Sequence, residues 1–215
     1  MSIAYKISSY NRKRKWKIFL REMGSTPDTK VLDVGFEEDE RSSTSNFIEK
    51  NYPFPRNITA LGVEEPKKFL ERYPDVRVVV YDGRKFPFEP KSFDVCWSNA
   101  VLEHVGGKER QIEFLKEIVK VAKTAFITTP NRHFPVEVHT RSPLLHFLPK
   151  KFFDRYLSLI GKEWATGDYM NLLTLKDVHE LLAGAGISQY KIIKHRLFFF
   201  TYEFIIIFGD IQANV

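Results

Sequence analysis

The sequence predicts an α/β protein built on a doubly wound, mostly parallel sheet of seven strands that ends in an antiparallel hairpin. Three observations carry this expectation. Short apolar strands alternate with helical segments from about residue 28 to residue 130, the rhythm of a parallel sheet covered on both faces. Two strand-like runs, Tyr190 to Phe198 and Glu203 to Phe208, then close the chain near enough to pair antiparallel. Finally, the stretch Tyr81 to Val105 reads as an acidic loop, a turn, a buried strand ending in small polar residues, and a helix. Open α/β sheets place their ligands at the strand ends that such a segment supplies.

The elements follow in order. Residues 8 to 23 form a helix, with Ile18, Phe19 and Met23 as an apolar edge beside a basic face, before Gly24 and Pro27 break it. Val31 to Val34 is a short strand that closes at Gly35, and a helix spans Asn46 to Asn51 until Tyr52-Pro53-Phe54-Pro55 stops it. Ile58 to Val63 is the second strand, and Pro66 suits the first turn of a helix reaching Tyr73. The β-branched run Val76 to Tyr81 predicts a buried third strand. Phe93 to Ser98 is the fourth, and Lys108 to Val121 is an amphipathic helix with Ile112, Leu115, Ile118 and Val119 on one side. Ala125 to Thr128 is the fifth strand, halted at Pro130. Residues 131 to 173 carry aromatic and basic residues, several prolines and no clear strand. A helix from Leu175 to Ala185 follows, capped by Thr174 and closed by Gly186.

A chain of 215 residues fits one domain, here 1–215, with a basic N-terminal helix (1–27) and an insertion (131–173). The lone Cys96 cannot form an internal disulfide and lies in an apolar strand, where a plain buried thiol is expected. No signal peptide opens the chain and no stretch is long enough to span a bilayer, so a soluble, cytoplasmic protein is expected. The formal net charge is +6, part of it in Arg12-Lys13-Arg14-Lys15-Trp16-Lys17. That run reads as a solvated helix face. No zinc-finger spacing, helix-turn-helix pattern or RNA-binding aromatic signature accompanies it, so nucleic acid is not the expected partner.

Candidate functional residues gather at strand ends. Asp33 and Gly35 end the first strand, and a glycine there lets backbone amides approach a ligand closely. Glu64 follows the second strand, either as an acceptor for a pair of ribose hydroxyls or as a carboxylate ahead of a helix N-terminus. Asp82 and Gly83 follow the third, as a ligand-reading loop or a plain turn. Ser98, Asn99 and Ala100 end the fourth, and His104 opens the next helix as a site residue or a packed cap. After the fifth strand comes Thr129-Pro130-Asn131-Arg132-His133-Phe134-Pro135-Val136-Glu137-Val138-His139-Thr140-Arg141. His133, Glu137 and His139 match no strong metal-ligand spacing, and no metal is expected. The segment reads instead as a polar wall, with Asn131, Arg132 and Arg141 facing substrate and a histidine as base or orienter.

The segment Tyr81-Asp82-Gly83-Arg84-Lys85-Phe86-Pro87-Phe88, with Ser92-Phe93-Asp94-Val95-Cys96-Trp97-Ser98-Asn99-Ala100-Val101-Leu102-Glu103-His104-Val105, resembles the adenine-side segment of class I S-adenosylmethionine-dependent methyltransferases. The resemblance implies a Rossmann-like sheet and S-adenosylmethionine as cofactor. It implies cofactor contacts from Asp33, Gly35, Glu64, Asp82, Gly83 and Asn99, with His104 near the transfer site; His133 and His139 of the polar wall join it as catalytic candidates. The family carries Asp-x-Gly-x-Gly-x-Gly after the first strand. Here Asp33-Val34-Gly35-Phe36-Glu37-Glu38-Asp39 lacks the later glycines and supplies three carboxylates, which would bind the cofactor's ammonium group or stay solvated. The insertion at 131–173 resembles a substrate lid. Its apolar residues beside Lys150 and Lys151 would also suit a membrane surface.

The expected activity is methyl transfer to a small-molecule acceptor such as a sugar or a lipid-linked metabolite. The altered glycine loop keeps open a non-catalytic binding or regulatory protein, and the basic helix an RNA methyltransferase that lacks an Asn-Pro-Pro-Tyr motif.

Overall fold

The computed structural model describes residues 3–40 and 42–210. Its elements run α1 (Ile3–Met23), β1 (Val31–Val34), α2 (Phe47–Asn51), β2 (Ile58–Gly62), α3 (Lys67–Arg72), β3 (Arg77–Val80), β4 (Phe93–Asn99), α4 (Lys108–Val121), β5 (Ala122–Pro130), α5 (Lys150–Leu159), α6 (Leu175–Gly184), β6 (Tyr190–Leu197) and β7 (Phe200–Gly209). They form a seven-stranded sheet in the order β3-β2-β1-β4-β5-β7-β6. β1 pairs parallel with both β2 and β4, aligning Asp33 with Ala60 and Trp97, and β2 pairs parallel with β3. The expected doubly wound α/β sheet with a C-terminal antiparallel hairpin is therefore present. Among the described residues no helix is long and apolar enough to cross a membrane.

The described residues divide into two compact units, one within residues 3–98, 117–126 and 208–210, the other of residues 99–116 and 127–207. In the first, β1 and β2 are buried along their whole length, as strands covered on both faces must be. Phe19 of α1 is buried, with its ring edge-on to Trp97 at 5.0 Å, and Trp97 stacks on Phe126 at 5.2 Å. Cys96 is a buried thiol whose pKa burial raises well above the ordinary value.

Three local expectations change. β3 is exposed at Arg77 and Val80 and only half-buried at Val78 and Val79 because it is the edge strand, so its β-branched run reflects strand propensity and not burial. Pro66 stands one residue ahead of α3, at its N-cap. The basic run of α1 is not wholly solvated: Lys15 is buried with Asn11 and Phe19, at the four-residue spacing that puts all three on one helix face.

In the second unit, α6 is held by a complete capping box between Thr174 and Asp177. The hairpin strands carry a buried His195–Glu203 pair, Nδ1 to Oε1 2.8 Å. The insertion contains one α-helix, α5, and a small apolar core of Phe153, Leu157, Ala165 and Met170. Burying its own side chains gives this segment a defined shape despite its lack of regular strands.

Candidate active site

In the first unit the carboxyl ends of β1 to β3 present the residues singled out in the sequence. Gly35 holds φ +101 and donates its amide to Leu61 O at 2.9 Å, a backbone shape that favours glycine. Glu64 is exposed. Gly83 adopts φ +78. Asp82 is exposed, and its Oδ1 accepts from the amides of Arg84 (2.9 Å) and Lys85 (3.4 Å). The Arg84 amide is the main reason its carboxyl stays below the usual range. The Asp-Gly pair thus forms a self-bracing turn that keeps an ionised carboxylate at the surface.

The altered loop after Gly35 has partners of its own. Phe36 packs over Gly62, where any Cβ would collide with its ring, and meets Phe69 at 4.6 Å. Glu38 accepts from the amides of Lys68 (2.7 Å) and Phe69 (3.0 Å), Asp39 pairs with Lys68, and Glu37 accepts from Ser45 Oγ at 2.8 Å. Those three carboxylates brace the loop and the start of α3.

Unpaired buried polarity lies elsewhere. Asp33 is buried, and burial followed by the adjacent Glu49 carboxyl pushes its pKa well up, while Arg12 of α1 acts in the opposite sense. Burial also raises Glu49, which shares a side-chain hydrogen bond with Asp33, so the two carboxyls hold a proton between them. Both side-chain polar atoms of the buried Asn11 are unpartnered. Buried polar groups ordinarily find partners, so the unsatisfied Asn11 amide in the same unit as this carboxyl pair would fit a zwitterionic ligand end. An ammonium group would suit Asp33 and Glu49. A carboxylate would suit Asn11 and the charge of Arg12.

In the second unit, Glu103, His104 and His139 converge, with one ligand-type atom of each within 4.8 Å of the others. Glu103 is fully buried. Its Oε2 accepts from Thr129 Oγ1 at 3.0 Å, and its Oε1 lies 3.3 Å from His139 Nε2 and 3.9 Å from His104 Nε2. Burial pulls the His139 pKa down, but the hydrogen bond and charge of Glu103 outweigh it and leave the imidazole above its ordinary value. For Glu103, burial opposes ionisation and His139 overcomes it, so the carboxyl sits below its usual range. His104 goes the other way, because burial dominates. Its Nδ1 faces the Tyr169 carbonyl at 3.0 Å, which fixes the proton on that nitrogen when the ring is neutral. At the end of β4, Ala100 holds φ +57 with its amide on Thr128 O at 2.9 Å, and Thr128 Oγ1 donates to Asn99 Oδ1 at 3.0 Å.

The remaining candidates lie as follows. Exposed His133 is outside the Glu103 cluster and donates its amide to Asn131 Oδ1 at 3.1 Å. Asn131 Nδ2 donates to Thr201 O at 2.9 Å, tying the insertion to the hairpin. Arg132 lines a cavity of about 200 Å³ with His146, Phe153, Met170 and Asn171. Arg141 is exposed, with φ +57. Sequence reasoning passed over Glu103 as an organising residue, and over Glu49 and Asn11. The adjacent Glu-His pair was the available signal for the first, whereas the other two become visible only through their burial.

Open, doubly wound α/β sheets place their ligands at strand-end loops of this kind. A family model described as a methyltransferase domain matches residues 54–125. No curated protein sequence matches the chain significantly. Among solved structures, a SAM-dependent methyltransferase from Aquifex aeolicus is similar over 97% of this chain and 98% of that one, at 15% identity and a TM-score of 0.54. The PH0226 protein from Pyrococcus horikoshii OT3 is similar over 94% of this chain and 90% of that one, at 13% identity and a TM-score of 0.59. The CurJ carbon methyltransferase is similar over 94% of this chain at 15% identity and a TM-score of 0.60, and this chain spans 54% of its length. The chain therefore shares the fold of these SAM-dependent methyltransferases, and residues 54–125 match the methyltransferase-domain model.

Proposed function

We propose that this chain binds S-adenosylmethionine and transfers its methyl group to a small-molecule acceptor that gives up a proton. The observation that carries the reading is the buried Glu103 holding His139 at 3.3 Å. With Nε2 directed at Glu103, His139 takes the acceptor's proton at Nδ1, and the Glu103 carboxylate stabilises the imidazolium that results. His104 forms the neighbouring wall, its ring edge-on to His139 at 4.6 Å. The cofactor, when bound, supplies an electrophilic sulfonium methyl. Positioning accounts for most of the remaining acceleration.

On the cofactor side, Glu64 accepts from the ribose hydroxyls and the Asp82-Gly83 turn reads the adenine edge. Gly35 gives close backbone approach. The unpartnered Asn11 amide and the paired Asp33 and Glu49 carboxyls would hold the methionine end that a glycine-rich loop would otherwise cradle. Calorimetric titration with S-adenosylhomocysteine tests this directly. Micromolar binding is expected, weakened on the order of tenfold by Glu64→Ala. A folded chain that binds neither S-adenosylhomocysteine nor S-adenosylmethionine would overturn the proposal.

A further inference from the structure

The hairpin between β6 and β7 turns through only two residues, Phe198 and Phe199. Such loops favour Asn-Gly, Asp-Gly or a glycine pair, because the backbone must enter the left-handed region. Phe198 does so at φ 53, a conformation that penalises a bulky side chain, and it gains no burial in return. The two rings are 82% and 94% exposed, and Phe200 beside them is also exposed.

The same combination recurs at Leu144, which holds φ 60 and is 61% exposed. The two places are structurally continuous. Phe200 meets the Phe134 ring at 6.5 Å, and the next residue, Pro135, accepts the Leu144 amide at 2.8 Å. Phe147 follows, also exposed. A run of large apolar side chains therefore lies bare on one continuous piece of this unit, two of them, Leu144 and Phe198, on left-handed backbone that a bulky side chain disfavours.

The charge around it has one sign. Lys194 and Arg196 stand on the outward side of β6, opposite the buried His195, and Arg132 and Arg141 are exposed on the 131–147 segment. The acidic residues of these stretches, Glu137 and Glu203, are buried. We infer that this aromatic and basic face docks on an anionic lipid bilayer, with the Phe198-Phe199 tip entering the headgroup region and the cations meeting lipid phosphates. Rings at the interface and cations at an anionic surface are the two terms that add in peripheral attachment. This inference is independent of the methyl-transfer reading.

Vesicle co-sedimentation of the full chain tests it, using phosphatidylcholine vesicles with and without phosphatidylglycerol. The chain is expected to sediment with the phosphatidylglycerol vesicles, to stay in solution with phosphatidylcholine alone, and to be released by added salt. Phe198→Ser with Phe199→Ser should abolish sedimentation. Lys194→Gln and Arg196→Gln should each weaken it about fivefold. S-adenosylhomocysteine titration and circular dichroism of each variant report the fold and the cofactor site separately, so either reading can fail alone. The inference is overturned if the wild-type chain stays in solution or if the serine variant sediments as well as wild type. It is equally overturned if the tip instead drives lipid-free self-association that the serine variant abolishes.

Discussion

Glu103 Oε1 lies 3.3 Å from His139 Nε2, while Thr129 holds the other carboxylate oxygen at 3.0 Å. A buried carboxylate fixed at both oxygens has one electrostatic task, which is to favour the protonated form of the imidazole facing it. If His139 is the base, methyl transfer to a protic acceptor rises with pH through a midpoint above the ordinary histidine value. Glu103→Gln removes the charge and leaves the burial, so that midpoint moves to lower pH and the rate falls about 10²-fold. Rate–pH profiles of the two proteins decide the matter, and superimposable profiles would sink the assignment.

The same pair sets a stability window. The raised pKa of His139 contributes stability that is complete below its unfolded value of about 6.5 and is lost as pH rises through the folded value. The depressed pKa of Glu103 contributes stability present above about 4.5 and lost as pH falls through its folded value. The pair's contribution is therefore greatest between those two values. A thermal melt series should show that plateau flattened in His139→Gln.

Asp33 and Glu49 behave in the opposite way, because both carboxyls are raised by burial. Their favourable contribution is present at low pH and is lost as pH rises through the folded values. Glu49→Gln should therefore stabilise the free protein at pH 8 and have little effect at pH 4. Removing one buried charge is worth about 1–3 kcal/mol, or roughly 2–4 °C of Tm for each kcal/mol. The same change removes the negative charge that the proposed site would offer the cofactor's ammonium group, so S-adenosylmethionine affinity should fall as Tm rises. A Glu49→Gln protein that is less stable at pH 8 would contradict this account.

The sheet was legible where strands are buried on both faces, since β1, β2 and β4 read as short apolar runs with turn residues after them. β3 misled because Val78, Val79 and Val80 look the same in a central strand and at an edge. The start of β5 was hidden because α4 runs into it at Val121–Ala122 without a breaker, so only its apolar centre stood out. At the site, Glu64 and Asp82 were visible as acids at strand ends. Glu103 was not, because the histidine that gives it meaning is 36 residues away. The carboxylates after Gly35 could not be assigned from sequence, because their partners Lys68 and Phe69 belong to a later helix.

That loop makes the last prediction. Gly62 ends β2 where the Phe36 ring sits, and the ring is buried against Phe69. Gly62→Ala must displace Phe36, because the clash is with a ring wedged between the strand and α3, with no free end to swing aside. Overpacking of this kind costs about 1–3 kcal/mol. The displacement also pulls on Gly35, whose amide is bonded to Leu61 O beside the substituted residue, so S-adenosylhomocysteine affinity should fall together with Tm. Phe36→Leu frees the space, and in the Gly62→Ala background it should restore part of both. A double-mutant cycle on Tm and on affinity measures the coupling. Strictly additive effects would mean that Phe36 does not occupy the space over Gly62, and that another part of the chain holds the loop after Gly35 in place.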